Sequence, residues 1–424
     1  MKVISPKRLL QSVFPTVRNG SIFNASSLDL QFARTKTLDP RVTFTRASSG
    51  TYVDSQGVIR TATTNEARFD HNPTTGESLG LLVEEARTNN VLQSEDFATT
   101  WTASNLTVTT NSVVAPDGTA TADTIAPPAD GLTVTRFLRQ NPVLTTQQAY
   151  TLSVFVKVGT ATTNGIALYV SDSAATNNFR GVFNLFTLAT GASGTGWATP
   201  TSTIVPYPNG WYRCILSGVT STAHTGLRAQ IYLSAFGTTP DTYGSIHVWG
   251  AQLEAGSFPT SYIPTTTAAA TRSADVASIT GSNFSSWYRQ DEGTVFAEYR
   301  TPTSGTRGVT GFNDSTANER IALFTNGTDP KLTVIDGGAP QADLNGGTIV
   351  SGVMTKSAGA YAVNDFAFAH AGGTAVTDAT GTLPTVNRLL IGADQSGNYQ
   401  NGRLKRLTFW PQRLPNTTLQ QITQ

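Results

Sequence analysis

Carboxylates raise the first chemical possibility in this 424-residue chain, because two of them flanking a sugar about 5–9.5 Å apart hydrolyse a glycosidic bond. The residues available for that work are Glu84, Glu85, Glu254, Glu298, Asp365 and Asp394. Glu84 and Glu85 are neighbours on a strand-like segment, so their side chains leave opposite faces and make a poor pair. Glu254 follows an alternating strand, and Glu298 alternates with Phe296, which turns it to solvent without an evident partner. Metal chemistry has as little support. His71, His224, His247 and His370 are scattered, with no His-x-His or Cys/His cluster. Loop aspartates Asp336, Asp343, Asp378 and Asp394 offer oxygen ligands for calcium, although such residues more often cap turns. There is no phosphate-cradling glycine loop ending in Lys-Ser/Thr, and no Gly-x-Ser-x-Gly elbow. Cys214, the single cysteine, alternates with Tyr212 and Leu216, the pattern of a buried structural thiol. The expectation is a non-enzymatic protein with no cofactor and no metal, a polysaccharide depolymerase being the enzymatic alternative.

Sugar binding asks for less: aromatic faces to stack on pyranose rings and polar groups to read hydroxyls. Strand alternation sorts the aromatics. Val154, Val156 and Val158 face one way with Phe155 and Lys157 opposite, while Ile166, Leu168 and Val170 turn Tyr169 outward. Likewise Ile231, Leu233 and Ala235 oppose Tyr232 and Phe236, and Ile246 and Val248 oppose His247 and Trp249. If these strands share a sheet, Phe155, Tyr169, Tyr232 and Trp249, with His247 beside them, form one outward patch too apolar to be left bare. It reads either as a glycan platform or as a buried subunit or domain interface. Replacing Trp249 by alanine would abolish glycan binding in the first case and oligomer formation in the second. Trp101, Trp197 and Trp287 fall in loops as separate candidates.

The elements that carry these residues are strands. Charged residues make up 13% of the chain, about half the usual share, and Thr, Ser, Asn, Gln and Gly replace them. That composition suits a large antiparallel surface and leaves little charge repulsion to oppose stable assembly. A formal net charge of +1 gives no footprint for nucleic acid. No apolar run approaches the ~20 residues of a membrane helix, and the first residues lack the uninterrupted apolar core of a secretory signal. A soluble protein made in a reducing cytoplasm is expected. Only the N-terminus is locally basic, with Lys2, Lys7, Arg8 and Arg18 before the first acid, Asp29.

Turn signals divide the chain into an N-terminal docking arm (1–27), a small β region (28–89), a sandwich with at least eight strand candidates (90–265), a Thr/Ala-rich linker (266–274) and a further β module (275–424). The segment Trp249–Pro264 leaves the last strand of the middle module. Ala360–Ala369 reads as one strand, and Leu414–Ile422 as a short helix capped by Asn416 or Thr417. The fold class is all-β: tandem jelly-roll β-sandwiches preceded by an N-terminal arm and a small β region.

Four stretches carry a resemblance: Leu38–Ser48, the Tyr52–Arg60 hairpin, Leu82–Asn89, and Ser94-Glu95-Asp96-Phe97 with Trp101. Over residues 28–265 they resemble tailed-phage and prophage virion proteins of the head-spike, tail-fibre and baseplate-associated type, which carry carbohydrate-binding-like β-sandwiches. Through Gly402–Trp410, Leu414 and the terminal helix, the last module is similar to concanavalin A-like and laminin G-like jelly rolls. The resemblance implies a virion location, attachment to other virion proteins through the N-terminal region, a homo-oligomer with a trimer favoured, and host cell-surface polysaccharide as partner, without nucleic acid or membrane. Capsid or tail decoration without sugar binding is the competing structural role.

Overall fold

Period-two patterning dictates the middle module. Leu152, Val154 and Val156, then Ile166, Leu168 and Val170, then Ala229 and Ile231, then Ile246 and Val248 all point into one core with Trp101, Phe179 and Trp197. The structure is a computed structural model that describes residues 22–129, 134–160, 165–233, 244–303 and 305–424, with backbone alone at 198 and 199. Its middle sandwich has two six-stranded antiparallel sheets. One sheet, here the junction sheet, runs Ala198–Pro206, Trp211–Val219, Ala149–Val158, Ile246–Ala255, Ala122–Ala126, Thr107–Val113. The other, the outer sheet, runs Thr190–Thr195, Asn178–Phe183, Ile166–Asp172, Leu227–Tyr232, Phe137–Gln140, Thr102–Ser104.

The second sandwich is built from both ends of the chain. Its eight-stranded sheet places Gly402–Trp410 between Glu292–Arg300 and Ser78–Val83, with Phe69–His71 at the edge and Leu28–Leu30 also paired to Gly402–Trp410. Its seven-stranded sheet begins with Thr43–Thr45, paired to Val276–Thr280. Leu28, Leu30, Phe44, Leu81 and Val83 share one core with Val295, Phe312, Leu389 and Phe409. The fold class is therefore all-β with two β-sandwiches. The small β region 28–89 precedes the middle sandwich in sequence, yet in space its strands Leu28–Leu30, Thr43–Thr45, Phe69–His71 and Ser78–Val83 complete the sheets of 275–424. Hydrophobic alternation shows which residues are buried but not against which distant strand, so a boundary at residue 89 looks natural in the sequence alone.

Three local expectations change. The 266–274 segment contains the strand Ala270–Arg272, which pairs with Arg87–Asn89. Ala360–Ala369 is a hairpin, Thr355–Ala362 and Asp365–His370, turning through Asn364 at φ +58°, a left-handed conformation that asparagine tolerates. The helix Asn416–Ile422 has Pro415 at its N-cap and no side-chain cap, its first turn being closed by Thr418 and Leu419 N–H groups donating to the Pro415 carbonyl. Leu419 and Ile422 of this helix cover Phe296 and Trp410 on the outside of the eight-stranded sheet, joined by Ile22 and Phe23. The Trp410 indole donates to the Ile22 carbonyl at 2.9 Å, and the Arg406 guanidinium lies 3.6 Å over the Phe23 ring. The rest of the expected docking arm, residues 1–21 with their basic side chains, lies outside the described residues.

Candidate functional site

The five aromatic and histidine candidates do not share a sheet. Phe155, His247 and Trp249 stand on the junction sheet, whereas Tyr169 and Tyr232 stand on the outer sheet. Alternation fixes the face a side chain takes but not its sheet, and the chain changes sheet between Ala149–Val158 and Ile166–Asp172 and again between Leu227–Tyr232 and Ile246–Ala255.

On the outer sheet, inward Leu168, Val170, Ala229, Ile231 and Leu138 turn a row of polar and aromatic side chains outward. Strand register aligns Thr102, Arg139, Gln230, Tyr169, Arg180 and Ser193 across six strands. The next row begins Phe137, Tyr232, Ala167, Val182. Tyr169 and Tyr232 meet edge to face with ring centroids 5.9 Å apart, and Phe137 lies 5.3 Å from Tyr232. Gln230 Nε2 donates to the Tyr232 hydroxyl at 2.7 Å, and Arg180 Nε donates to Ser193 Oγ at 2.7 Å. The Arg139 guanidinium lies 5.6 Å over the Phe137 ring. Tyr169 is half-buried and Tyr232 only 9% exposed, so the pair offers ring edges and hydroxyls beside Tyr169's flatter surface. Burial raises both phenol pKa values, keeping the hydroxyls neutral donors at physiological pH. Phe137, Arg139, Arg180 and Gln230 were not singled out in the sequence; the period-two run Arg228-Ala229-Gln230-Ile231-Tyr232 is the signal that marks this face. Ala235 and Phe236 lie outside the described residues.

The junction sheet's outward face is covered by the chain itself. Phe155 and Trp249 are 0% and 1% exposed and form a cluster with Ile59, Trp211 and Tyr262. Ring centroids are 5.4 Å apart for Phe155–Trp249 and 4.5 Å for Trp249–Tyr262. The Trp249 indole donates to Thr121 Oγ1 at 3.0 Å, and the Tyr262 hydroxyl donates to Glu95 Oε1 at 2.9 Å. Of the readings open for Trp249, an intramolecular interface is the one the geometry takes. Its facing depends on Gly250, at φ +63° in a β-bulge where a Cβ would meet Phe155 at 3.0 Å. The bulge shifts the strand's phase, so Ala251 and Leu253 enter the core while Gln252 and Glu254 turn toward the junction. His247, further along that face, bonds Thr124 Oγ1 at 2.9 Å, and burial followed by Lys157 lowers its pKa.

Behind this cluster lies a buried charge network. Arg68 pairs with Glu84 at 2.8 Å and with Asp275, Arg46 pairs with Asp275 at 3.1 Å, and Arg272 stands 3.6 Å from Glu84. Burial opposes ionisation of Glu84, but Arg272, Arg68 and Arg403 outweigh it and hold its pKa well below the usual range. Glu84 also accepts from Ser261 N and Oγ, and Glu254 from Gln252, Thr260 N and Thr260 Oγ1. These two carboxylates are thus fully engaged in holding the Trp249–Pro264 segment. Glu84 and Glu85 lie in the connection between Ser78–Val83 and Arg87–Asn89 rather than on the expected strand, and there Glu85 points away from Glu84, to Arg87 at 2.6 Å and Asn401.

Between the junction sheet, the hairpin Gly50–Val53 and Ile59–Ala62, and the second sandwich is a cavity of about 470 Å³. Arg213, Arg300 and Arg403 line it, with Tyr52, Tyr207 and Thr203. Arg403 is paired with Asp70 at 2.6 Å, and Arg213 donates to the Thr260 carbonyl and Ser153 Oγ. Burial, then the neighbouring Arg403, lowers the Arg300 pKa to about 10.

The remaining candidates are structural where the chain places them. Trp101, Trp197 and Trp287 are all buried. Cys214 is buried, and burial drives its thiol pKa far up. Glu298 is half-buried on the strand Glu292–Arg300, opposite Lys356 and Arg406, and its same-face neighbour Phe296 lies under the terminal helix. Asp365 pairs with Arg413 at 2.8 Å. Asp343 pairs with Lys331, Asp378 caps the Thr380 turn, Asp336 accepts from Thr382, and Asp394 accepts from Ser396 and Asn398. Among the described residues, no group of three or more His, Cys, Asp or Glu converges as a metal set.

No protein-family model matches the chain, and no curated protein matches it either. Among solved structures, it is similar to the Ruminococcus gnavus IT-sialidase CBM40 bound to α2,3-sialyllactose, at 13% identity and a TM-score of 0.30, covering 33% of this chain and 86% of that one. It is also similar to domains LG4-5 of the mouse laminin α1 chain, at 10% identity and a TM-score of 0.25, covering 79% and 91%. Trypanosoma rangeli sialidase gives 10% identity and a TM-score of 0.28, over 70% of this chain and 60% of that one. At such scores these likenesses carry no inference, and the reading of the site rests on its own geometry.

Proposed function

We propose that this chain is a non-enzymatic phage virion protein, a head spike, tail fibre or baseplate-peripheral component, whose middle sandwich binds bacterial surface glycans through the outer sheet. The observation that carries the binding half is the aligned row Arg139–Gln230–Tyr169–Arg180 with the Tyr169–Tyr232 pair beside it. The Tyr169 ring flanked by the Arg139 and Arg180 guanidinium groups, with buried Gln230 beneath them fixing the Tyr232 hydroxyl, is a combination that can stack on a pyranose and read its hydroxyls. The virion half is supported by the sequence resemblance over residues 28–265. Low charge, 13% of residues, favours an oligomer, with a homotrimer as the form expected of such fibres and spikes. Weak single sites become firm attachment when several copies on one particle raise the effective concentration.

The test is a pull-down of the fluorescent full-length chain on bacterial cells and on their extracted surface polysaccharide. Saturable binding competed by a polysaccharide that stays intact supports adhesion. Binding with release of reducing ends turns the reading to a depolymerase, and absence of binding by folded oligomer turns it to a decoration or connector role.

A further inference from the structure

We propose that the cavity at the junction of the two sandwiches is a second binding site, for a carboxylate-bearing saccharide whose carboxylate is held by Arg300. This inference is independent of the outer sheet, which lies on the opposite side of the middle sandwich. At about 470 Å³ the cavity has the size of small-ligand sites, which run from about 300 to 1,000 Å³.

Its electrostatics select the ligand. Both acids in the wall are already engaged: Asp70 by Arg403 and the Val53 N–H, Glu84 by Arg68 and Ser261. Arg213 has its acceptors in Ser153 and Thr260. Arg300, at the end of Glu292–Arg300, is different. Among the described residues no carboxylate lies within ion-pair distance of it and no side-chain hydrogen bond satisfies it, while Arg403 adds a like charge nearby. Arg300 is half-buried on the cavity wall, its guanidinium opening to the cavity rather than to a protein acceptor, so an incoming anion supplies the charge-assisted partner it lacks. One guanidinium with one open fork matches a planar carboxylate, which accepts two parallel hydrogen bonds. The rest of the wall is hydroxyl-rich, with Thr203 and Ser217 from the junction sheet and the phenols of Tyr52 and Tyr207. That lining suits the hydroxyls and ring of a sugar better than an aliphatic acid.

The experiment is isothermal titration of the full-length chain with D-glucuronate, D-galacturonate and N-acetylneuraminate, with D-glucose and inorganic phosphate as controls. At least one acidic sugar is expected to bind saturably, and glucose not to. R300Q should weaken that binding at least about tenfold, with R300K intermediate because a point charge replaces the fork. The Tyr169→Ala/Tyr232→Ala double variant should retain it, which separates this site from the outer sheet. Failure of all three acids to bind wild type, phosphate binding as tightly as the best acid, or R300K binding unchanged from wild type overturns the proposal.

Discussion

Asp275 and Arg46, 229 residues apart in the chain, form an ion pair at 3.1 Å with both side chains fully withdrawn from water. The pair ties the start of the second sandwich to the small β region and, through Arg68 and Glu84, to the Trp249–Pro264 segment. Removing one partner of such a network strands buried charge and costs about 3–5 kcal/mol. Asp275→Asn should therefore lower the unfolding free energy by that amount in urea titration, with a smaller loss for Arg46→Met in an Asp275→Asn background than in wild type. Additive losses would show that the two residues are not coupled.

Trp249→Ala should destabilise the chain by about 3–5 kcal/mol through the cavity it leaves, because Phe155, Tyr262 and Thr121 pack or bond against the indole. Glycan binding by the folded fraction should stay at the wild-type level. A stable Trp249→Ala protein that had lost glycan binding would contradict the intramolecular interface.

Residues 275–424 expressed alone should fail to fold, since Leu28–Leu30, Thr43–Thr45, Phe69–His71 and Ser78–Val83 supply strands to their two sheets. The expected spectrum is a collapsed amide region in proton–nitrogen NMR. Mixing with residues 22–89 should restore dispersion, and a well-dispersed spectrum from 275–424 alone would rule the shared sandwich out.

Acid should weaken the fold through His370. Burial lowers its pKa below the ordinary value of 6.5, and its Nδ1 lies 3.0 Å from Ser357 Oγ. Below pH 6.5 the unfolded chain takes up a proton that the folded chain refuses, so stability falls with pH until the folded imidazole also titrates. The thermal midpoint of wild type should drop on going from pH 7 toward 5, and that of His370→Gln should drop less. Buried carboxylates such as Glu95, whose pKa is raised mainly by burial, act in the opposite sense but are common to both proteins, so the difference isolates His370.

The strands were largely legible in the sequence because their signal is local. Ala149–Val158 follows directly from the alternation of Leu152, Val154, Val156 and Val158, whereas Glu84 and Glu85 separate in a connection between strands and not through a strand's pleat. What was not legible is which strands pair across long separations. Nothing in Leu28-Asp29-Leu30 points to Leu407, Thr408 and Phe409, and nothing in Tyr169 shows that its sheet is not that of Trp249. The bulge at Gly250 was visible as a glycine inside a strand, yet its consequence, turning Gln252 and Glu254 into the junction, needs the partner strand Ala149–Val158. Arg300 is a strand end in the sequence, and only the assembled cavity distinguishes it from Arg403, its direct partner across the sheet, which is paired with Asp70.

The central claim, glycan attachment through the outer sheet, is tested most directly by measuring the affinity of full-length wild type, Tyr169→Ala and Trp249→Ala for one surface polysaccharide by biolayer interferometry at matched folded fraction. Loss of at least about tenfold for Tyr169→Ala, worth 1.4 kcal/mol or more, with Trp249→Ala at the wild-type level, is the predicted result. Equal affinity of Tyr169→Ala and wild type would contradict it.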